Sequence, residues 1–268
     1  MSATITNAIA PLTVDSLWES IRTQTREQAE QEPVLASFLY TTILNHDTFD
    51  ASLSFHIANK LDSPALPAML IREVIEQAFA GDISIPLSAR ADLLAVSERD
   101  SACRTLVTPF LFFKGFHALQ AHRIAHWLWK QGRESLALFL QNRNSTVFAV
   151  DIHPAAKIGK GIMFDHATGI VIGETAVVED NVSIMQSVTL GGTGKEHGDR
   201  HPKVRSGVLI SAGAKVLGNI EIGECAKVGA GSVVLKDVAP RTTVAGVPAK
   251  VIGSTTCVQP SRDMDHFI

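Results

Sequence analysis

Two different hydrophobic periods divide the chain. In the first half, apolar residues recur three and four positions apart, which is the spacing of one face of an α-helix. This pattern predicts seven or eight helices, with Pro67 at a first turn and Gly81 at a helix end. The segments with this spacing are TVDSLWESIRTQTREQAEQ, VLASFLYTTILNH, ASLSFHIANKLD, PAMLIREVIEQAFAG, SARADLLAVSERD, GFHALQAHRIAHWLWKQG and ESLALFLQNRNS. We therefore expect an all-α helical domain over residues 1–148.

The second half repeats every six residues instead. Neither an α-helix nor an alternating strand has this period, whereas a parallel β-helix does, because each hexad supplies one short strand and one corner. A weaker continuation of the period passes through Pro240, Gly246 and Ile252. The positions in phase are Ile152, Ile158, Phe164, Ile170, Ala176, Val182, Val188, Val204, Ile210, Val216, Ile222, Val228 and Val234. The sequence therefore predicts an α+β protein whose C-terminal part, 149–253, is a β-helix.

The six-residue period is interrupted between Val188 and Val204. That gap of sixteen corresponds to one hexad and ten inserted residues, and the insertion contains three glycines and several charged residues. Because the coils on either side keep their phase, the inserted residues must protrude as a loop, at about 190–202. Loops mounted on rigid scaffolds are where binding residues gather.

Composition supports a boundary near 148–152. All three tryptophans, the single tyrosine and ten of the twelve phenylalanines lie before residue 150, whereas sixteen of the nineteen glycines lie after it. The segment 254–268 leaves the repeat and is polar until its last two residues, so we expect a flexible C-terminal tail.

Charge and cysteine content narrow the class of protein. A formal net charge of −3 argues against a general nucleic-acid binder, which usually carries a basic excess. We expect no secretory signal and no membrane span, because no basic start precedes an apolar region and no apolar run reaches about eighteen residues. Three scattered cysteines form neither a disulfide framework nor a zinc ribbon. These features predict a cytoplasmic protein.

The second half resembles a known family in several motifs. The runs DIHPAAKIGKGIMFDHATGIVIGE, SVTLGGTGKEHGDRHPKV and AGVPAKVIG, together with KGFHALQAHRIAHWLW in the helical half, are similar to the bacterial serine acetyltransferases. These are hexapeptide-repeat acyltransferases, and the resemblance implies a left-handed β-helix. It also implies acetyl transfer from acetyl-CoA to the hydroxyl of L-serine, with acetyl-CoA as a co-substrate and with neither a permanently bound cofactor nor a metal.

His166 is the candidate general base. It follows a core position by two residues and is flanked by Asp165, and Asp151 lies fifteen residues earlier, close to one eighteen-residue coil. Stacked coils would bring Asp151 into the neighbourhood of His166, where a carboxylate can fix the imidazole tautomer. The resemblance implies that Asp151 and His166 form a catalytic dyad.

The resemblance also assigns the substrate-binding residues. Arg200 is expected to pair with the serine carboxylate, and His201 to line that pocket. Asp100, in the helical domain, and Asp165 are expected to bind the serine ammonium group. Coenzyme A is expected to lie along the solenoid wall with its acetyl end at His166. The candidate residues for coenzyme A are Gly192, Gly194, Lys195, Ala212, Lys227 and Ala230.

Assembly and regulation follow from the same resemblance. It implies trimers that pair into hexamers through the helical domains, a substrate site between subunits, and feedback inhibition by L-cysteine. It further implies that the terminal Ile268 enters the active site of O-acetylserine sulfhydrylase, although the His266-Phe267 pair before it is not a regular feature of the family.

Three other functions compete with this interpretation. His122 with His126, or His197 with His201, are spaced to hold zinc, as in the carbonic anhydrases built on the same solenoid, but neither pair has an obvious third ligand. A non-catalytic scaffold would have no reason to keep Asp151, His166, Arg200 and His201. Hexapeptide acetyltransferases that act on sugars or antibiotics usually lack the long helical domain.

Overall fold

The computed structural model describes residues 14–194, 197–255 and 258–266. Its helical region ends at Phe148 and its first strand begins at Val150. A 3₁₀ turn (Pro33–Leu35) and a π-helical segment (Tyr40–Leu44) flank the short α2. The α-helices are α1 (Val14–Gln31), α2 (Ala36–Leu39), α3 (Phe49–Leu61), α4 (Ala68–Gly81), α5 (Ser84–Arg99), α6 (Val107–Phe112), α7 (Lys114–Lys130), α8 (Glu134–Phe148) and α9 (Pro260–Asp263).

The helices pack around a core rich in aromatic residues. Phe49 and Phe110 are completely buried, and their rings meet edge to face with centroids 5.5 Å apart. Helix α7 lies at the centre, and its small residues Ala118, Ala121 and Ala125 allow neighbouring helices to approach closely. The predicted helices are present, but α6 lies in a segment whose short apolar run carries no helical period.

The solenoid consists of short parallel strands in three sheets. A five-stranded, a four-stranded and a six-stranded sheet form its three faces, and about five coils make up the left-handed β-helix. The strands are β1 (Val150–Ile152), β2 (Lys157–Ile158), β3 (Met163–Asp165), β4 (Ile170–Ile172), β5 (Val177–Val178), β6 (Ser183–Met185), β7 (Thr189–Gly191), β8 (Lys203–Val204), β9 (Leu209–Ile210), β10 (Lys215–Leu217), β11 (Glu221–Ile222), β12 (Lys227–Val228), β13 (Val233–Val234), β14 (Thr242–Gly246) and β15 (Ala249–Ser254).

The strand register shows two insertions rather than one. Val150 pairs with Ile170, 20 residues further on, whereas Val171 pairs with Thr189, which is the regular spacing of 18. Thr189 then pairs with Lys215, 26 residues further on. The ten extra residues are therefore divided: two lie in the corner that contains His166, and eight lie in the loop after β7.

The predicted loop at about 190–202 therefore lies where it was expected, between β7 and β8, but the prediction of a single ten-residue insertion is wrong, because two of the ten residues lie elsewhere. Each hexad buries two residues, one in the strand and a second at the corner four residues later. Ile172 and Ala176 of one hexad are both about 1% exposed, and so is Ile152 one coil earlier. A count by six from Phe164 reaches Ile170 and Ala176, which belong to the set of corner positions, instead of the strand positions Ile172 and Val178. Because both sets are apolar, the count meets no polar residue and the two-residue insertion goes unnoticed.

The hexad period ends at Val234. The chain then forms an antiparallel hairpin in which β14 pairs with β15. Ile252, which the weaker continuation of the period places in the core, is 51% exposed on this hairpin. The extension of the repeat through Pro240, Gly246 and Ile252 is therefore wrong, because the last strand reverses direction and does not complete another coil.

The described part of the C-terminal segment differs from the expected flexible tail. Helix α9 lies against the solenoid, where Ser261 is fully buried and its carbonyl accepts a hydrogen bond from Ser183 Oγ at 2.7 Å. Arg99 Nη1 donates to the same Ser183 hydroxyl at 3.1 Å. Polar contacts of this kind leave no apolar pattern in the sequence. Phe267 and Ile268 lie outside the described residues.

A buried ion pair joins the helical region to the solenoid. Asp92 on α5 is completely buried and lies 2.7 Å from Arg123 Nη2 on α7. The other oxygen of Asp92 accepts from the backbone N–H of Ile162, and Arg123 donates to the carbonyl of Gly159 at 2.6 Å. Both charges are therefore satisfied across the junction, which holds α5 and α7 in a fixed position on the first coil.

Candidate active site

His166 lies on an enlarged corner between β3 and β4. His166 and Ala167 both adopt left-handed backbone conformations, with φ values of 55° and 60°, which cost energy in non-glycine residues. The corner is tied to the coil below by a hydrogen bond from Gly169 N–H to the Ala149 carbonyl, at 2.7 Å. This arrangement leaves the His166 side chain 72% exposed, with Nε2 3.6 Å from Asp165 Oδ1.

A cavity of about 570 Å³ opens beside His166, between the helices and the first coil. Asp100, at the C-terminal end of α5, and Asp165 line it together with His166. Burial raises the pKa of the Asp165 carboxyl, with nearby His166 lowering it and Asp100 raising it further. Two carboxylates and an imidazole thus face one cavity, a set that suits a cation such as an ammonium group next to a hydroxyl that loses a proton.

Lys114 also lines this cavity, and the sequence did not single it out. It is the first residue of α7, and its Nζ donates to the Thr168 hydroxyl on the His166 corner. The next residue, Gly115, has no room for a side chain, because a Cβ there would lie 2.1 Å from the Phe164 carbonyl oxygen. Close packing of α7 on β3 therefore places Lys114 against the corner.

Arg200 and His201 lie at the base of the loop after β7, on the next corner of the solenoid. Thr175, one coil below, accepts hydrogen bonds on Oγ1 from the backbone N–H groups of Arg200 (3.0 Å) and His201 (3.1 Å). The Thr175 N–H donates to His201 Nδ1 at 3.2 Å. A nitrogen that accepts carries no proton, so the neutral ring has its proton on Nε2. Burial lowers the pKa of His201, which favours this neutral form.

The space for the His201 ring exists because residue 173 is a glycine. A Cβ at Gly173 would lie 2.0 Å from both Cδ2 and Nε2 of His201. Gly192 is close to the same groups, since a Cβ there would be 3.5 Å from Arg200 Cγ and 3.6 Å from His201 Nε2. Gly194 has a φ of 85° and lies in the outer part of the loop, and Lys195 lies outside the described residues.

Glu174 holds the Arg200 side chain. Arg200 Nη2 lies 2.6 Å from Glu174 Oε2, and Nη1 donates to the Gly198 carbonyl at 3.1 Å. The hydrogen bond from Arg200 lowers the pKa of Glu174, so that carboxylate stays ionised. Sequence reasoning missed Glu174 and Thr175. The strand register could have found them. Glu174 and Thr175 each lie 26 positions before the residue that they contact, and Val177 pairs with Lys203 at the same spacing.

The structure does not bring Asp151 to His166 within one chain. Asp151 is in the middle of β1 and pairs with Val171 of β4, whereas His166 is at the corner that precedes β4. Asp151 Oδ1 accepts a hydrogen bond from Gln141 Nε2 at 2.7 Å, and among the described residues no hydrogen bond or ion pair joins Asp151 to His166. Residues fifteen apart are three positions out of register in a coil of eighteen residues, and in this coil of twenty the offset grows to five, because Asp151 pairs with Val171.

Two of the coenzyme A candidates lie above His166 on the same corner. Ala212 and Ala230 occupy the corners of higher coils, linked by the hydrogen bond from Gly231 N–H to the Ala212 carbonyl at 2.8 Å. Lys227, on β12, is buried, and its Nζ lies 3.7 Å from Asp265 Oδ2 of the C-terminal segment. These residues form a vertical strip that leads to His166, whereas Gly192 and Gly194 lie at the Arg200 corner.

The site residues therefore form two groups on one chain. In the base group, Asp165 and His166 lie at the corner between the six-stranded and five-stranded faces, and Asp100 faces the same cavity from the end of α5. The loop group, Arg200 and His201, lies between the five-stranded and four-stranded faces. Among the described residues no cluster of three or more His, Cys, Asp or Glu could hold a metal ion. Over the same residues, no helix is long and apolar enough to cross a membrane.

Comparison with known proteins identifies the family. Two family models match: "Serine acetyltransferase, N-terminal" over residues 17–121 and "Bacterial transferase hexapeptide (six repeats)" over residues 201–236. The serine acetyltransferase of Escherichia coli (strain K12) is 60% identical over 255 residues, 95% of this chain and 93% of that protein. The chain belongs to the serine acetyltransferase family. The family member from Haemophilus influenzae is 56% identical and covers 96% of each chain.

Solved structures of the serine acetyltransferase family share the fold over almost the whole chain. A complex with cysteine has a TM-score of 0.94 and 55% identity, covering 96% of this chain and 100% of that one. The Brucella abortus enzyme in complex with coenzyme A has a TM-score of 0.89 and 50% identity, covering 95% and 100%. The soybean enzyme complexed with serine has a TM-score of 0.88 and 58% identity, covering 91% and 100%.

Proposed function

We propose that this chain transfers the acetyl group of acetyl-CoA to the hydroxyl of L-serine, giving O-acetyl-L-serine and coenzyme A in the biosynthesis of cysteine. The observation that carries the proposal is the 60% identity to a serine acetyltransferase over nearly the whole chain. Solved structures of family members in complex with serine and with coenzyme A support the choice of the two substrates. The cavity beside His166 supplies groups suited to the chemistry.

In the proposed mechanism His166 is the general base. It takes the proton from the serine hydroxyl while the oxygen attacks the thioester carbonyl. The carbon–sulfur bond of the resulting tetrahedral intermediate then breaks, and His166 returns the proton to the coenzyme A sulfur. General base catalysis of this kind contributes about 10²- to 10⁴-fold. The 72% exposure of the side chain supports the role, since a substrate can reach the ring.

The amino acid substrate is bound through its two charges. Asp100 and Asp165 bind the ammonium group, and Arg200 binds the carboxylate through charge-assisted hydrogen bonds. His201, with its proton on Nε2, is a second donor for that carboxylate. Glu174 supports this role because it holds the Arg200 guanidinium in place at 2.6 Å.

A complete site needs two chains. The base group and the loop group lie on the two edges of the same five-stranded face, and Asp151 lies on that face between them. When three copies pack these faces around a threefold axis, each contact is heterologous, which means that it joins two different surfaces. The edge that carries the base group of one copy then lies against the edge that carries the loop group of its neighbour. We infer a trimer in which Arg200, His201 and Asp151 complete the site of the neighbouring His166.

Two trimers pair through the helical regions. Several apolar side chains are exposed there, among them Val34 at 92%, Met69 at 70% and Ile83 at 68%. Exposed apolar side chains of this kind mark association surfaces when they form a patch. Burial of the helical region of one trimer against that of another would cover them.

Coenzyme A lies along the strip from Ala230 and Ala212 down to His166. Backbone groups of those corners, with Gly192 and Gly194 of the neighbouring loop, face the pantetheine arm. Lys227 and Lys195 supply charge for the phosphates.

Regulation and location follow the family. L-cysteine, which has SH in place of the serine OH, inhibits by occupying the serine pocket, and a relative in complex with cysteine supports this. The enzyme acts in the cytoplasm, and Ile268 binds in the active site of O-acetylserine sulfhydrylase. Deleting Phe267 and Ile268 tests the last point, because association with the sulfhydrylase should then be lost.

The activity is tested by release of free thiol from acetyl-CoA. L-Serine should give thiol release that L-cysteine suppresses, whereas L-homoserine, a sugar and a chloramphenicol-type acceptor should give little. Release with another acceptor and none with serine would contradict the substrate assignment while leaving acyl transfer in place. Absence of release with every acceptor would contradict the activity itself.

A further inference from the structure

Asp151 receives a hydrogen bond from the helical region. Gln141 is on α8, the helix that leads directly into β1, and its Nε2 donates to Asp151 Oδ1 at 2.7 Å. Within the described chain this is the hydrogen bond that the Asp151 carboxylate makes, and it leaves Oδ2 without a partner there. The helix therefore contacts the carboxylate on one oxygen and leaves the second oxygen available.

The position of Gln141 is determined by contacts on both sides of α8. Asn144 Nδ2 donates to the Ala118 carbonyl on α7 at 3.2 Å, and Arg143 Nε donates to the Leu61 carbonyl at the end of α3 at 3.1 Å. Ala149, with a φ of 57°, then turns the chain so that β1 follows α8 closely. The amide of Gln141 thus reaches Asp151 from a helix that is anchored to two others.

A carboxylate that orients a base must itself be oriented. A free carboxylate rotates about its terminal torsion, which is broad, so neither oxygen stays directed at an imidazole N–H. An amide N–H on Oδ1 restrains that rotation and leaves Oδ2 for another partner. Glutamine suits the task because its amide neither takes up nor releases a proton at physiological pH. Partners that orient the ligands of metal ions affect affinity or activity about 10- to 100-fold, and we expect an effect of the same size for a partner that orients a carboxylate.

We propose that Gln141 is a positioning residue, which holds the Asp151 carboxylate so that Oδ2 meets the His166 imidazole of the neighbouring subunit. This inference rests on the proposed function, since it requires Asp151 to orient the base. It also gives the helical region a part in the reaction that the substrate contact of Asp100 does not include.

The test compares Gln141→Met, which keeps the length of the side chain and removes the donor, with Asn142→Ala. Asn142 is the next residue on α8 and its side chain is exposed, so it reports any general effect of altering the helix. Gln141→Met should lower kcat about 10- to 100-fold while KM for both substrates stays within about twofold. Asn142→Ala should leave both constants unchanged. An unchanged kcat in Gln141→Met overturns the proposal.

A double-mutant cycle separates positioning from a structural role. In an Asp151→Asn background, Gln141→Met should cause little further loss, because the carboxylate that it positions is already absent. A full additional loss would mean that Gln141 acts elsewhere, and the proposal would be overturned. If Gln141→Met does not fold, Gln141→Leu, which also lacks the donor, takes its place with the same expected outcome.

The same cycle distinguishes failure of the inference from failure of the proposed function. If Asp151→Asn lowers kcat and Gln141→Met does not, Asp151 orients the base without Gln141, and the inference alone fails. If Asp151→Asn leaves kcat unchanged, Asp151 has no role in the reaction, and the proposed dyad and the inference fail together.

Discussion

The two halves of the molecule bury their apolar residues in different ways. The helical region has an irregular core in which residues of different size, such as Phe49, Phe110 and Phe116, each fit one environment. The solenoid repeats one environment in every coil, so Ile172, Leu190 and their equivalents stack in a single column. A mutation in the first has local and individual consequences, whereas the second depends on a constant spacing.

This difference explains where the candidate site residues lie. A regular coil needs no more than its hexads, so extra residues in it are visible as departures from the register. Both insertions contain candidate site residues: the two-residue insertion carries His166, and the eight-residue insertion carries Arg200 and His201. The helical region contributes isolated side chains instead, such as Asp100 and Gln141, with no pattern to reveal them.

The largest effect is expected at the solenoid corner that contains His166. His166→Ala removes the proposed base, so kcat should fall about 10²- to 10⁴-fold while binding of acetyl-CoA is largely retained. Thiol release gives the rate, and calorimetry gives the binding. Activity within about tenfold of the parent would show that another group is the base.

Asp92→Asn tests the junction between the helical region and the solenoid. The substitution leaves the buried Arg123 charge without its partner, which should lower the free energy of unfolding by about 3–5 kcal/mol. Denaturant titration followed by circular dichroism measures it. Glu98→Gln is the control, because Glu98 pairs with Arg262 at an exposed surface and should cost less than about 1 kcal/mol. Equal costs for both would mean that the buried pair does not hold the junction.

Gly173→Ala tests whether the solenoid corner tolerates a single methyl group. The methyl would overlap the His201 ring, so the ring must move and kcat/KM for serine should fall about 100-fold. Steady-state kinetics measures this. Gly253→Ala, where no atom of the described residues other than the chain neighbours lies within 4 Å of the new Cβ, should leave kcat/KM as in the parent. If Gly173→Ala behaved like Gly253→Ala, His201 would have no role in serine binding.

The smallest expected effect is the loss of stability in acid that is due to the buried histidines of the helical core. Burial lowers the pKa of His56 from 6.5 to about 4, so the folded protein keeps this ring neutral while the unfolded chain takes up a proton at 6.5. Stability should therefore fall as the pH is lowered from 6.5 to about 4, and this group should add no further loss below that. The melting temperature of His56→Gln should depend less on pH over this range.

The control for the acid effect is His197→Gln, since His197 is exposed in the loop. It should retain the pH dependence of the parent. Part of the dependence should also remain in His56→Gln, because burial lowers the pKa of His117 and His122 as well. Identical slopes in His56→Gln and the parent would show that His56 does not contribute.

Much of the architecture could be predicted from periodicity because burial is periodic in both halves. Twelve of the thirteen predicted in-phase solenoid positions are buried, and Ile158 is the partly exposed one. The division of the insertion could not be predicted, because strand and corner positions are both apolar. Helix α9 could not be predicted either, because its docking depends on backbone and hydroxyl groups that any polar segment possesses.

The candidate site was accessible in part. His166, Asp165, Arg200 and His201 stand in recognisable runs, and the structure gathers each pair at one corner. Thr175 and Glu174 contact His201 and Arg200 from another coil, 26 residues earlier in the sequence. Gln141 contacts Asp151 from a helix, 10 residues earlier. Nothing in their local sequence distinguishes them from ordinary polar surface residues.

Both architectures, and the candidate site residues that stand in recognisable runs, could be derived from the amino-acid sequence. Each coil must bury apolar residues at a constant spacing, and each helix must bury one face, so both patterns are written along the chain. Which of these side chains come into contact could be seen only in the folded chain. The position of a solenoid corner depends on every residue inserted before it, and the two hidden residues increase the offset between Asp151 and His166 from three positions to five. Within the chain, the Asp151 carboxylate accepts its hydrogen bond from Gln141 instead.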